Sequence, residues 1–280
     1  MKTIGFVDYY ISEWHANNYP GWIKEICEQT GMDFEVKYAW AEKDVSPVDG
    51  RSTDEWCDAL GVQKCGSLSE LCEKSDYIMV LAPSNPEKHL EYAKEVLKYK
   101  KNTYIDKTFA PDYATAKEIF DIGQEYGTKF FSSSALRYAT ELDALAGSKN
   151  VITTGGGRLI DEYIIHQIEM AQKMIDEKPV MVRLEKQGKH YISTVKFEND
   201  KNSTMVFAPG LAFSVCAETK NDDSVYKNIG SDFFKNLLTD ILRFYESGKI
   251  SFDIQQTLYV MQVREAVIKG KDNLGSWQNL

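Results

Sequence analysis

The chain of 280 residues has no surplus of positive charge: 33 Lys and Arg stand against 42 Asp and Glu, a net charge of −9. Phosphate backbones and anionic lipid surfaces are gripped by clustered Lys and Arg, so a broad nucleic-acid or membrane-surface footprint is excluded. Long apolar runs are missing too, since a spanning helix needs about 20 such residues. Met1 leads directly into a strand-like run rather than a signal peptide, which makes the cytoplasm the expected location. Cysteines are few, odd in number and never spaced C-x-x-C (Cys27, Cys57, Cys65, Cys72, Cys216), so neither a disulfide framework nor a metal site is expected. Also absent is the G-x-G-x-x-G run that lets backbone approach a pyrophosphate at a helix N-terminus. The first strand-like run, Ile4-Gly5-Phe6-Val7, continues into Asp8-Tyr9-Tyr10-Ile11-Ser12-Glu13-Trp14-His15, with no further glycine until Gly21. Asp8 would bring negative charge toward any phosphate there. Its aromatics, Ser12 and His15 fit a lid or a substrate contact as well as an odd surface turn.

What is present alternates. Lys2 to Asp8 reads as a strand, Pro20 to Thr30 as a helix, Phe34 to Trp40 as a strand, and Thr53 to Leu60 and Leu68 to Lys74 as short helices. Tyr77 to Ala82 (YIMVLA) is a continuous apolar run, the pattern of a central strand covered on both faces. Then come a helix over Pro86 to Tyr99, a strand over Asn102 to Asp106, a helix over Pro111 to Tyr126 and a strand over Lys129 to Ser134. Such alternation predicts an α/β domain with a Rossmann-like parallel sheet over residues 1–135. Ligands in these sheets bind beyond the carboxyl ends of the strands, here at Asp8, Ala82, Asp106 and Ser132.

Residues 136–280 change character. A helix over His166 to Asp176 precedes β-rich runs at Val180 to Gln187, Tyr191 to Glu198, Thr204 to Ala208 and Ala212 to Glu218, separated by turn residues such as Pro209-Gly210. Helices over Ser224 to Tyr245 and Asp253 to Lys269 close the chain. A second, α+β domain with an open, mainly antiparallel sheet is expected.

Three regions carry possible chemistry. The first is the Asp8 to His15 loop. The second joins Ala82-Pro83-Ser84 and His89 to Asp106-Lys107-Thr108, where a lysine past a strand end can act as a point-charge donor to a ligand hydroxyl and lower its pKa. In the third, Gly155-Gly156-Gly157-Arg158 runs into Tyr163, His166 and Glu169; the last two share a helix face, where the carboxylate could orient the imidazole as a general acid/base. A solvated lysine, a structural histidine and a flexible glycine connection remain the alternatives.

In order, these regions resemble the glucose-fructose oxidoreductase, inositol dehydrogenase and MocA (Gfo/Idh/MocA) family of NAD(P)-dependent oxidoreductases, over nearly the whole chain. The matching residues are Ala82-Pro83 with His89, Asp106-Lys107-Thr108, Gly155 to Gly157 with His166 and Glu169, and Ser134-Ala135-Leu136-Arg137-Tyr138. The resemblance implies NAD or NADP as cofactor, hydride transfer with a sugar, polyol or related hydroxyl compound, Lys107 polarising the hydroxyl and His166 as acid/base. It implies cofactor contacts from Asp8, Ser12, Ala82, Pro83, Ser84, His89, Asp106 and Lys107. Substrate contacts are expected from Arg137, Tyr138, Tyr163, His166 and Glu169, and a homo-oligomer (dimer or tetramer) through the C-terminal sheet. The sequence departs from the family in the missing glycines, in Thr108 where proline is usual, and in Asp161, five residues before His166 rather than four. The altered first loop leaves two other readings open: a lyase, isomerase or glycoside-cleaving enzyme on the same scaffold, or a catalytically silent binding protein.

Overall fold

The computed structural model describes residues 1–280, which divide into two compact units: residues 1–132 with 237–252, and residues 133–236 with 253–280.

In the first unit six strands, all parallel, lie in the order β3-β2-β1-β4-β5-β6: β1 (Lys2–Tyr10), β2 (Phe34–Lys43), β3 (Gln63–Lys64), β4 (Tyr77–Val80), β5 (Thr103–Ile105) and β6 (Phe130–Phe131). This is the doubly wound order, and its topological switch point falls between β1 and β4. Helices α1 (Trp14–Thr30), α2 (Thr53–Leu60), α3 (Leu68–Lys74), α4 (His89–Val96) and α5 (Tyr113–Tyr126) make the connections. Local chemistry fixes their ends: Ser52 and Glu55 form a capping box on α2, Asp112 caps α5, and Gly31, Gly61 and Gly127 close helices in the left-handed conformation. Gly5 serves packing. A Cβ there would lie 2.3 Å from Ser75 Oγ and 2.6 Å from a Leu71 methyl, so α3 can approach β1 only over a glycine.

Two expectations are corrected here. Helix α1 begins at Trp14 rather than Pro20, because Glu13 supplies a cap seven residues upstream of the proline, which sits inside the helix. The segment 237–252 groups with the first unit, and the boundary falls at 132/133 rather than 135/136. The reason is packing: Tyr245 stacks on Tyr77 with ring centroids 4.8 Å apart and donates its hydroxyl to Ile78 O at 2.8 Å, while Asn102 Nδ2 donates to Tyr245 O at 3.0 Å.

The second unit is a seven-stranded sheet in the order β12-β11-β7-β10-β9-β8-β13. Its strands are β7 (Asn150–Gly155), β8 (Pro179–Gln187), β9 (His190–Phe197), β10 (Asn202–Phe207), β11 (Ser214–Glu218), β12 (Ser224–Asn228) and β13 (Trp277–Asn279). Only the β7/β10 pair is parallel; β8, β9 and β10 form the expected meander. Helix α6 (Ile160–Ile175) packs on β7 and β10 and against α8 (Gln255–Lys269). Here too the structure departs from the sequence reading. The stretch before the glycines is strand β7, α6 starts at Ile160 rather than His166, and Ser224 to Asn228 is strand β12, so that α7 spans only Phe233–Ser247.

Candidate active site

At the switch point of the first unit, the carboxyl ends of β1 and β4 are tied together by a side chain. Asp8 Oδ1 accepts from Tyr9 N at 2.7 Å and from Ala82 N at 3.2 Å; its Oδ2 is buried without a hydrogen-bond partner. Burial, and secondly the charge of Glu13, push the Asp8 carboxyl well above the usual aspartate range.

Glu13 itself occupies the N-terminus of α1. Its Oε1 accepts from Ala16 N at 2.5 Å and its Oε2 from His15 N at 2.9 Å, with His15 Nδ1 at 3.2 Å. The His15 ring packs edge-on against Trp14 and Tyr19, and Trp14 in turn against Trp22. Ser12 turns away, donating to Asp49 at 2.7 Å and accepting from Ser46 through its carbonyl.

Beyond β5, Asp106 points into the same buried cluster. Tyr104 donates to its Oδ1 at 3.1 Å, and its Oδ2 lies 3.9 Å from His15 Nε2 without a hydrogen-bond partner. Lys107 is half-buried and donates from Nζ to Pro83 O at 3.1 Å, so the Ala82-Pro83 turn and the Lys107 turn are brought together as expected. Both turns are strained: Ala82 and Thr108 have φ of +50° and +43°, a region costly for a residue with a Cβ and frequent at functional sites. Ser84 is exposed and hydrogen-bonds the Tyr10 hydroxyl.

His89 is placed differently from a cofactor contact. It is fully buried, with Nε2 2.7 Å from Leu81 O and Nδ1 3.0 Å from Phe109 O. Both ring nitrogens face backbone carbonyls of the two turns; burial lowers the ring's pKa, and the neutral ring has a single N–H to donate to one of them.

In the second unit, His166 Nδ1 lies 2.6 Å from Ser134 Oγ, which also accepts from Leu136 N at 3.2 Å. A serine hydroxyl can donate to a bare ring nitrogen or accept from a protonated one, so the pair serves either tautomer of the imidazole. Glu169 meets the same serine: Ser134 N donates to Glu169 Oε1 at 3.2 Å. Glu169 Oε2 takes Arg137 Nε at 2.7 Å, and Arg137 continues to Gln256 Oε1 at 2.7 Å. Arg137 and Glu169 are 4% and 3% exposed, which makes them a buried brace beneath His166 rather than a substrate-facing pair. Tyr138 is half-buried, its carbonyl accepting from Asn236 at 3.0 Å. Tyr163 lies over Gly157, where a Cβ would meet its ring at 2.2 Å, and its ring centroid is 5.8 Å from that of His166. Asp161 pairs with Lys271 at 2.7 Å and takes no part in this cluster.

Sequence reasoning missed Glu13 and Ser134. An acidic residue just before an aromatic helical run was the available signal for the first. Nothing short of the fold brings Ser134 to a histidine 32 residues away.

A dinucleotide is fitted differently by different parts of the first unit. Lys107 and the Ala82-Pro83 turn offer a cation and backbone beyond the strand ends. The diphosphate does not fit as folded: its place at the α1 N-terminus in a doubly wound sheet holds the Glu13 carboxylate, backed by Asp8 and Asp106. Glu42, at the end of β2 where an acid takes the adenosine ribose in such folds, instead holds Lys88 and Tyr92, each at 2.9 Å.

Comparison with known proteins agrees with the scaffold. Residues 44–134 match the family model described as oxidoreductase family, NAD-binding Rossmann fold (Gfo/Idh/MocA). The matched stretch starts after β1, α1 and β2, the elements that carry the altered loop. No curated protein matches. Among solved structures, a probable dehydrogenase from Thermotoga maritima superposes with a TM-score of 0.81 at 12% identity, covering 99% of this chain and 98% of that one. The myo-inositol dehydrogenase from Lactobacillus casei, solved with NAD(H) and myo-inositol, superposes at 0.78 and 10% identity, covering 100% and 96%. A putative myo-inositol dehydrogenase from Sinorhizobium meliloti 1021 reaches 0.77 at 11% identity, covering 100% and 99%. At these identities the likeness is one of fold.

Proposed function

From the match of residues 44–134 to the Gfo/Idh/MocA oxidoreductases, we propose that the chain is an oxidoreductase of a sugar, polyol or related hydroxyl compound, with NAD or NADP as redox partner. The observation that carries the acid/base assignment is the 2.6 Å contact of His166 with Ser134, fixed from below by the buried Glu169–Arg137 pair. In this reading His166 exchanges the proton of the reacting hydroxyl, with Ser134 following the tautomer change. Lys107, held by Pro83, supplies the positive charge that favours the alkoxide form of that hydroxyl. Arg137 and Glu169 act as positioning residues. The remaining sequence-derived contacts, Tyr138 and Tyr163 to substrate and Ser84 to cofactor, belong to the same proposal.

The proposal extends to a homo-oligomer through the second sheet. Across it Tyr226, Cys216 and Ile152 stand in register on neighbouring strands, with Tyr226 60% and Ile152 47% exposed, an apolar row suited to a second copy. Sedimentation of the purified chain as a dimer or larger is expected; a monomer at micromolar concentration refutes this part.

The activity test is turnover of NAD(H) or NADP(H), followed at 340 nm, against a panel of polyols and sugars. Lys107→Ala and His166→Ala are expected to keep the fold and lose at least about a hundredfold in kcat, the usual size of a general acid/base contribution. Unchanged rates in both variants refute the residue assignment. The absence of any dinucleotide-linked turnover, with ligand binding retained, favours a non-redox or binding role instead.

A further inference from the structure

The N-terminus of α1 is where a doubly wound sheet presents free backbone N–H groups and the positive end of a helix dipole to a diphosphate. In this chain those donors are already taken. Glu13 accepts from the N–H groups of both His15 and Ala16, and it is only 6% exposed. The surroundings are equally hostile to a second anion. Asp8 and Asp106 each keep one buried carboxyl oxygen without a hydrogen-bond partner, so two further acidic groups crowd this helix end. The one glycine of β1, Gly5, is taken up by packing against α3.

We infer that Glu13 is a built-in competitor for the diphosphate of a dinucleotide, a specificity-determining residue that must leave the α1 N-terminus before NAD or NADP can take it. The inference rests on the oxidoreductase reading for the identity of the competing ligand. It assigns to the wild-type chain a weak affinity for dinucleotides relative to a chain lacking this one carboxylate. Two effects act together: loss of the hydrogen bonds that Glu13 makes to the helix, and repulsion between any carboxylate that remains nearby and the phosphates. Nicotinamide mononucleotide, which lacks the diphosphate bridge, is less affected.

The test compares wild type, Glu13→Ser and Glu13→Gln by isothermal titration with NAD+, NADP+, NADH and nicotinamide mononucleotide. Serine keeps a capping hydroxyl while vacating the seat, so the fold is retained; glutamine removes only the charge. The expected result is dinucleotide affinity raised about tenfold or more in Glu13→Ser, and less in Glu13→Gln, as removal of one like charge near the phosphates predicts, with mononucleotide affinity changed by less than about twofold. Tight dinucleotide binding by the wild type, equal to that of Glu13→Ser, overturns the inference and leaves the oxidoreductase reading in place. Dinucleotide and mononucleotide binding absent from all three proteins overturns both. Circular dichroism and melting of each variant establish that a lost signal is not a lost fold.

Discussion

Replacing Glu169 by Leu is expected to be among the most damaging single changes in the second unit. Glu169 and Arg137 have 4% and 5% of their side chains exposed and meet at 2.7 Å, so removing the carboxylate takes the Glu169 charge from a buried guanidinium and the acceptor from Ser134 N. Breaking a buried pair from one side costs about 3–5 kcal/mol, and for a protein of this size each kcal/mol lowers Tm by about 2–4 °C. A drop of about 6–20 °C follows from those two ranges. The double variant Arg137→Met/Glu169→Leu removes both charges and fills the space with apolar atoms. It should recover most of that loss, because neither position then buries a charge. Activity is expected to behave differently. In both variants Ser134 N loses its carboxylate acceptor, so His166 is held less firmly and kcat falls even where stability returns.

Scanning calorimetry of wild type, the two single variants and the double variant closes the cycle. The expected coupling between the two positions exceeds about 2 kcal/mol, at the upper end of what contacting residues show. Simple additivity, or a double variant as unstable as the worse single one, refutes the account of this pair as a mutually neutralising brace. Recovery of kcat along with stability refutes its role in positioning His166.

Asp8 supplies a pH-dependent prediction. Burial and Glu13 raise its pKa in the folded chain, so the native state holds the proton more tightly than the unfolded one. Stability from this group therefore falls as pH rises from the unfolded value of about 4 through the raised folded value, then levels off. Asp8→Asn keeps the oxygen that accepts from Tyr9 and Ala82 but cannot ionise; its Tm advantage over wild type should grow between pH 5 and pH 8, and an identical pH slope for both proteins sinks the assignment. Thr108→Gly tests the strained turn beside Lys107: glycine accepts a φ of +43° without steric cost, so a gain of about 1 kcal/mol is expected. The same change should lower kcat by loosening Lys107, and denaturant melts with a kinetic assay check both.

Much of the first unit could be read from residue order because each element was signalled locally. YIMVLA fixed the central strand, Gly127 closed α5, and the Ala82-Pro83 and Lys107 turns followed from strand ends, where the structure places them 3.1 Å apart through Lys107 and Pro83. His89 was visible but its job was not: spacing on a helix cannot distinguish a ring that faces a ligand from one wedged between two buried carbonyls. In the second unit the errors share one cause. Strand β7 has only six residues and ends in glycine, and β12 follows turn residues at the start of an otherwise helical pattern, so sheet pairing with β10 and β11 overrides weak local preference. Residues 237–252 were equally hidden, since what draws them to the first unit is the stacking of Tyr245 on Tyr77, a contact across 168 positions of sequence.

The altered first loop shows how a fold can persist while the chemistry at one strand end reverses. The parallel sheet needs apolar β1 residues and a close approach of α3, and Ile4, Gly5, Phe6 and Val7 satisfy both. It does not need the next turn to donate hydrogen bonds. Once the glycines are absent, the free N–H groups of α1 and its dipole still require an acceptor, and a carboxylate at position 13 satisfies them from within the chain. The replacement stabilises the apo fold by the very interactions that a bound diphosphate would otherwise make. Stability without ligand and affinity for the dinucleotide are thereby set in opposition at one residue. On this reasoning Glu13→Gly is expected to lower the Tm of the free protein while raising the Tm shift produced by saturating NAD+, and parallel movement of the two quantities would show that Glu13 is only a helix cap.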